Sequence, residues 1–428
     1  MSYQHTIGWK PVGLAGDIPK ARSGHSIVSK NERSCYLFGG YDGTTCFNDV
    51  YILSLDDERF PGVWRKVITD FPNDPVVPSP RASHAACNCA DLGMYICGGS
   101  GEEFGHSNTN DCFFFDYDEN RWYDITNAGL EKVKRLEHNT QRRLRLASVD
   151  VEHTFEHDSQ PAAGYGRACT FDAESLSIWI FGGTTGRNYS NDLWRFHLPS
   201  GRWSRLARSS GQNPSPRYTA KLGMCGGTII VVGGGIPAQC FSSDPLEVFS
   251  FNTETSVWSK AALPVELPCP GSRFAHAVAQ LDPRTMFVFG GSARRRPNSF
   301  DTLGSVLGGD IRAFIDSHMY DDAWVYDIPT NTWTQVAPAE NSPCSLDFVA
   351  AAPLRGGRDV VIFGGFNKVQ RNNDAARLRL RNEVPSLEAV CLKGLHELRI
   401  EDPERFPSED ELEGEFPSSM IRELFHVD

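Results

Sequence analysis

The chain runs to 428 residues, 40% hydrophobic and 11% aromatic, with a formal net charge of −12 at pH 7. That balance supplies a sizeable core and argues against nucleic acid as the main partner. No apolar run is long enough to cross a membrane, and MSYQHTIGWKPVG lacks a signal-peptide pattern.

The 39 glycines and 26 prolines suit an all-β, turn-rich chain. The 12 cysteines follow no regular frame. They read as reduced, small apolar fillers in a cytoplasmic protein, with the nucleus as a second compartment. Cys87 and Cys89 have no second pair nearby, so zinc is not expected.

In chain order, six apolar runs each end in a Gly-Gly pair. CYLF precedes Gly39-Gly40, MYIC precedes Gly98-Gly99 and SIWIF precedes Gly182-Gly183. TIIVV precedes Gly234-Gly235, MFVF precedes Gly290-Gly291 and DVVIF precedes Gly364-Gly365. After most pairs comes a second run opened by an acid, as in NDVYIL, NDCFFFDY, NDLWRFHL, LEVFSF and DDAWVYD. A Trp then follows at a fixed interval. Asp111 to Trp122, Asp192 to Trp203, Glu247 to Trp258 and Asp322 to Trp333 are each 11 residues apart, and Asp49 to Trp64 is a little longer.

Short apolar runs broken by Gly, Asn and Asp read as hairpin strands. Repeated with a period of roughly 50 residues, four strands at a time, they resemble the blades of a kelch β-propeller. The glycines suit a sharp bend that excludes a Cβ. The Trp is a plate able to fill the seam between blades.

The sixth repeat has no Trp after its apolar runs, whereas Trp9 stands ahead of the first repeat. The N-terminal segment is therefore expected to supply the outer strand of blade six. The fold class is an all-β, six-bladed propeller over residues 1–384, closed so that no sheet edge stays open. Two insertions break the period: residues 127–160, basic in the middle with RRLRL, and residues 294–318, opening on ARRRPNS. Both read as long surface loops, with a docking peptide as the alternative reading of RRLRL.

Residues 375–384 (AARLRLRNEV) alternate apolar and basic side chains, as a half-exposed strand does, and Pro385 stops them. Ser386 then suits a helix N-cap, with Glu388 in the first turn and Lys393 later. Leu387, Val390, Cys391, Leu395 and Leu398 share one face at helical spacing. Such a stripe either packs on the propeller or docks into a partner's groove.

The pattern Ser-Leu-x-x-x-Cys-x-x-x-Leu over residues 386–395 resembles the elongin-binding box of ubiquitin-ligase receptors. Beyond the acidic spacer 401–415, Phe416-Pro417-x-x-Met420-x-x-x-Leu424 is similar to a cullin-2 box. With the strings GGSGEEFGHSNTND, IFGGTTGRNYSNDLW, VVGGGIP and VPSLEAVCLKGL, the chain resembles the kelch domain-containing protein 10 (Slim-like) family.

That resemblance implies a non-catalytic substrate receptor of an elongin B/C–cullin-2–RING ubiquitin ligase, with no cofactor. Leu387, Val390, Cys391 and Leu395 would meet elongin B/C. Phe416, Pro417, Met420 and Leu424 would meet cullin-2, which carries the RING protein. Residues 385–428 would form these two helical boxes, and the propeller would bind substrate proteins by C-termini ending in Gly or Ala. A phosphatase is a further implied partner. The alternative is a kelch scaffold or signalling regulator, such as a phosphatase inhibitor, without ligase assembly.

A free carboxylate needs positive donors, best as an Arg fork. Arg22, Arg81, Arg167, Arg217 and Arg273 stand at inner-strand starts, and Arg187, Arg294, Arg295, Lys368 and Arg371 follow the Gly-Gly turns. Candidates for the chain-end site are Arg187, Arg217, Arg273, Arg22 and Arg294, interleaved with Tyr41, Tyr165, Tyr189, Tyr218 and Phe274. The arginines at strand starts suit a second role equally, that of bracing neighbouring blades. His25, His84 and His276 share one repeat position, which points to packing or backbone hydrogen bonding rather than acid–base chemistry. No nucleophile–base pair, nucleotide loop or metal triad emerges.

Overall fold

The computed structural model describes residues 8–55, 61–69, 76–130, 155–157, 160–206, 209–262, 268–294 and 317–380. From the axis outward, blade one runs Ser26–Asn31, Ser34–Phe38, Val50–Ser54 and Gly62–Val67. Blade two runs Ala85–Asn88, Gly93–Ser100, Asn108–Asp116 and Arg121–Asp124. Blade three comprises Ala168–Asp172, Ser177–Phe181, Leu193–His197 and Arg202–Leu206. In blade four the order is Lys221–Cys225, Thr228–Val232, Val248–Asn252 and Val257–Lys260. Blade five stacks Ala277–Asp282, Thr285–Phe289, Ala323–Asp327 and Thr332–Val336. Blade six takes Ala350–Leu354, Asp359–Phe363 and Ala375–Arg379 from the end of the ring and Gly8–Pro11 from its beginning. Among the described residues the helical structure is one 3-10 turn, Pro237–Gln239.

This is the expected six-bladed propeller, and its closure is the expected one. Gly8–Pro11 lies antiparallel to Ala375–Arg379, with Trp9 opposite Leu378. The next stretch, Leu14–Gly16, crosses to blade one and runs parallel to Gly62–Val67 as a fifth strand. One short piece of chain thus laces the last blade to the first and caps an edge on each. The helical boxes expected over residues 385–428 lie outside the described residues.

The core is divided among the seams. Each of six apolar clusters draws on two neighbouring blades, and each contains one outer-strand Trp. Trp64 packs with Leu37 and Leu53 of blade one and with Val361 and Phe363 of blade six. Trp122 plays the same part between blades one and two, and Trp9 fills the seam between five and six. Second strands such as Ser34–Phe38 and Asp359–Phe363 are buried along their whole length, because both faces meet a neighbouring blade. That explains why their sequences read as continuous apolar runs and not as alternating ones.

The Gly-Gly bends follow the steric expectation. Gly39 and Gly40 hold φ of 66° and 102°, and a Cβ on Gly40 would come within 2.8 Å of the His25 Cβ. In blade four the register is one residue earlier than expected. Gly233 and Gly234 make the bend, and the Gly234 N–H donates to the Arg273 carbonyl as that of Gly40 donates to Arg81. The sequence Gly233-Gly234-Gly235 could not show which pair turned the chain.

The insertions are better integrated at their ends than loops would be. Leu130 is buried in the seam between blades two and three, and Phe155–His157 pairs with Arg202–Leu206 as a fifth strand of blade three. Ser292–Arg294 pairs with Ser317–Met319 in a two-stranded ribbon at the root of the second insertion. Residues 131–154, 158–159 and 295–316 lie outside the described residues.

Candidate functional site

The loops entering the inner strands and the Gly-Gly turns meet on one face of the ring. Four strand-start arginines bolt this face together. Arg22 Nε donates to the Lys20 carbonyl, and Nη1 donates to the Gly39 carbonyl at 2.9 Å and to Asp49 at 2.6 Å. Arg273 repeats this on the Gly290 carbonyl and Asp322, and Arg217 on the Gly233 carbonyl and Glu247. Arg81 does the same with the Gly98 carbonyl and Asp111.

The backbone of each arginine is meanwhile bonded to the preceding blade, as in Gly40 N–H to the Arg81 carbonyl and Gly183 N–H to the Arg217 carbonyl. Each arginine therefore joins two blades. Arg22 and Arg273 are 0% exposed and Arg217 is 2% exposed. This geometry favours the bracing role for Arg22, Arg217 and Arg273, whose forks are committed to protein acceptors and sealed from a ligand.

The acids of these bolts respond as paired groups. Burial pushes the Asp322 carboxyl up, but the bonds and charge of Arg273 outweigh it and hold the pKa below the ordinary aspartate value. Glu247 behaves in the same way under Lys260 and Arg217. Blades three and six lack the arginine: Gly164 and Leu346 stand at its position.

One position beyond the bolts, the aromatic candidates do come together, in part. Tyr218 stacks on Phe274 with centroids 6.1 Å apart, and Tyr165 and Tyr189 meet Tyr218 edge-on at 6.5 and 5.7 Å. Phe104, absent from the sequence-based set, extends the arc by packing on Tyr165 at 4.7 Å, and it is 43% exposed. Its place in the loop after Gly98-Gly99 was the available signal. Tyr41 stands apart on blade one, beneath the guanidinium of Arg371 at 4.8 Å.

The arc is flanked by cations. Arg187 is exposed in the turn that carries Tyr189, and Arg294 is half-buried next to Ala293, which packs with Tyr218 and Phe274. Neither side chain makes a hydrogen bond or ion pair with a described residue. Next to the Phe274 end of the arc, Asp347 is buried and accepts a hydrogen bond from Ser292 at 3.0 Å. Burial pushes its carboxyl up to about 7, against the pull of Ser292 and Lys368, so near neutral pH it carries a full negative charge only part of the time.

Along the axis below the face lie His25, His84 and His276, as expected for packing residues. His25 stands edge-on to Phe363 and His84 to Phe38. Hydrogen bonding is confined to His84 Nε2, 2.9 Å from the Ser26 hydroxyl; the ring nitrogens of His25 and His276 make none and are sealed from solvent. Burial, then the charges of Arg81 and Lys221, bring His84 down to about 3. His25 and His276 are held well below their ordinary value for the same reasons, burial first. All three are neutral at physiological pH. No group of three or more potential metal ligands occurs among the described residues.

Residues 3–142 and 139–365 match the KLHDC2/KLHL20/DRC7 Kelch-repeats domain. The chain is 26% identical to Kelch domain-containing protein 10 of Xenopus tropicalis over 392 residues, 88% of this chain and 79% of that protein. It is 26% identical to the Homo sapiens protein of the same name over 382 residues, 86% of this chain and 72% of that protein. A Drosophila melanogaster relative, Leucine-zipper-like transcriptional regulator 1 homolog, is 24% identical over 387 residues, 87% of this chain and 32% of its own length. With a domain match running through nearly the whole ring and six blades, each with the same four-stranded core, beneath it, this chain belongs to the Kelch-repeat family.

Proposed function

We propose that this Kelch-repeat propeller is the substrate-recognition subunit of a cullin-2–RING ubiquitin ligase. It holds the C-terminal ends of target proteins on the aromatic face and takes up elongin B/C through residues 385–428. The observation that carries the reading is the contrast among the arginines of that face. Four are consumed as bolts, while Arg187 and Arg294, at the two ends of the Tyr165–Tyr189–Tyr218–Phe274 arc, have no side-chain partner among the described residues. Aromatic plates give contact area at low entropic cost, and a free guanidinium fork beside them suits a carboxylate. A terminal Gly or Ala fits because nothing bulkier is needed next to the anchored end.

The receptor does no chemistry itself; it raises the local concentration of a substrate lysine near a charged conjugating enzyme. Leu387, Val390, Cys391 and Leu395 dock in elongin, and Phe416, Pro417, Met420 and Leu424 in the cullin. The cytoplasm, with the nucleus second, is where such a machine works. A phosphatase-binding scaffold is the competing reading, and the tail separates the two.

The face is tested by fluorescence anisotropy with peptides ending in Gly or Ala, as free acids and as amides. The free acid should bind, and Arg187→Ala/Arg294→Ala should weaken it by at least about tenfold, the loss of one charged hydrogen bond or more. Equal affinity for the amide, or an unchanged affinity in the double variant, rules out this face as a chain-end site.

A further inference from the structure

Every blade contributes to the axial channel: His25, His84, Arg167, Lys221, His276 and Val349 line it in blade order. It continues into an adjoining cavity of about 130 Å³ that His25, His84, Arg167, Lys221 and Val349 also line. The first residues of the six inner strands are Ser26, Ala85, Ala168, Lys221, Ala277 and Ala350. Five are small and leave room at the axis; the sixth is a lysine that enters it.

Arg167 is a second exception. It takes the repeat position that His25, His84 and His276 hold, and donates to the carbonyls of Gly164 and Ala162, which leaves part of its five-donor fork unused. Lys221 Nζ has no hydrogen bond or ion pair with a described residue, and no Asp or Glu lines either cavity. Its charge is felt at His25, His84, Cys169 and His276, on four other blades, which places the ammonium near the axis. Burial pulls its own pKa below the ordinary lysine value, with Cys169 pulling the other way. Lys221 and Arg167 are both half-buried, and two neighbouring cations that face one channel without a carboxylate invite a counter-charge.

We propose that the axial channel binds one compact phosphate-like oxyanion, with Lys221 as its charge partner and Arg167 as its second donor. The site is separate from the aromatic face: Arg187 and Arg294 take no part in it, so either can fail alone.

The test is thermal-shift titration of the full chain with inorganic phosphate and with acetate at constant ionic strength, supported by phosphate ³¹P line broadening on the wild type. The wild type should show a saturable rise in melting temperature. Lys221→Met should fold, melt higher without added anion, and bind phosphate at least about tenfold more weakly, the loss expected for one charged hydrogen bond. Lys221→Arg should stay within about threefold of the wild type, since the charge is kept.

A free-acid peptide ending in Gly or Ala should leave the phosphate bound, and displacement of phosphate by that peptide but not by its amide would overturn the separation of the two sites. Absence of any saturable phosphate or acetate effect and of line broadening in the wild type overturns the proposal. So does an unchanged affinity in Lys221→Met.

Discussion

Arg273 shows how one residue type serves two ends on one surface. Its guanidinium bonds the Gly290 carbonyl and Asp322, lies 3.8 Å from the Tyr320 ring centroid, and is 0% exposed. Removing it leaves Asp322, itself 21% exposed, with a desolvated and unpaired charge. Arg273→Ala should therefore cost about 3 kcal/mol in urea unfolding, the low end for breaking a buried pair because Asp322 keeps some water. Arg187→Ala should leave stability nearly unchanged, and equal losses in the two variants would contradict the division between bolts and free arginines.

The sequence held half of this distinction. The acids of the bolts, Asp49, Asp111, Glu247 and Asp322, are the same acids that open the second apolar run of their repeats. What it lacked was the distance between Arg and acid, since 27 to 49 residues separate the partners along the chain. Lys221 was harder to read, because a lone lysine among Ser and Ala looks like a solvated surface residue until the six strand starts are seen to converge.

At the scale of elements, the ring stands or falls on the strand Gly8–Pro11. Trp9 is 4% exposed and fills the seam between blades five and six, touching Phe289 at a centroid distance of 5.4 Å. Trp9→Ala should lower stability by about 3–5 kcal/mol, the usual range for a buried Trp. Deleting residues 1–15 should cost more still, because it also removes Leu14 and Ala15 from the Leu14–Gly16 edge of blade one. A truncated chain that unfolds in urea at the wild-type midpoint would refute closure by this strand.

Closure was legible because it rested on a count, one Trp too few at the end and one extra at the start. Strand pairing at the insertion roots was not legible. Ser292–Arg294 and Phe155–His157 are three-residue strands, too short for any periodicity to show. The triple glycine of blade four hid its own register for the same local reason.

At the scale of the whole molecule, the proposed receptor requires the ring to take a chain end while the tail takes elongin B/C. The aromatic residues of the face were visible as a set, yet which of them meet depended on the blade angles: Tyr165, Tyr189, Tyr218 and Phe274 form an arc, and Tyr41 belongs to Arg371. The most direct measurement is a bridging assay, in which an immobilised Ala-ending peptide captures elongin B/C from solution only when the chain is added. Capture should occur with the free-acid peptide and fail with its amide. It should also fail with Leu387→Ser/Cys391→Phe, although that variant still binds the peptide. Elongin left in solution while the wild-type chain sits on the peptide would contradict the receptor function and leave a Kelch-repeat binding scaffold.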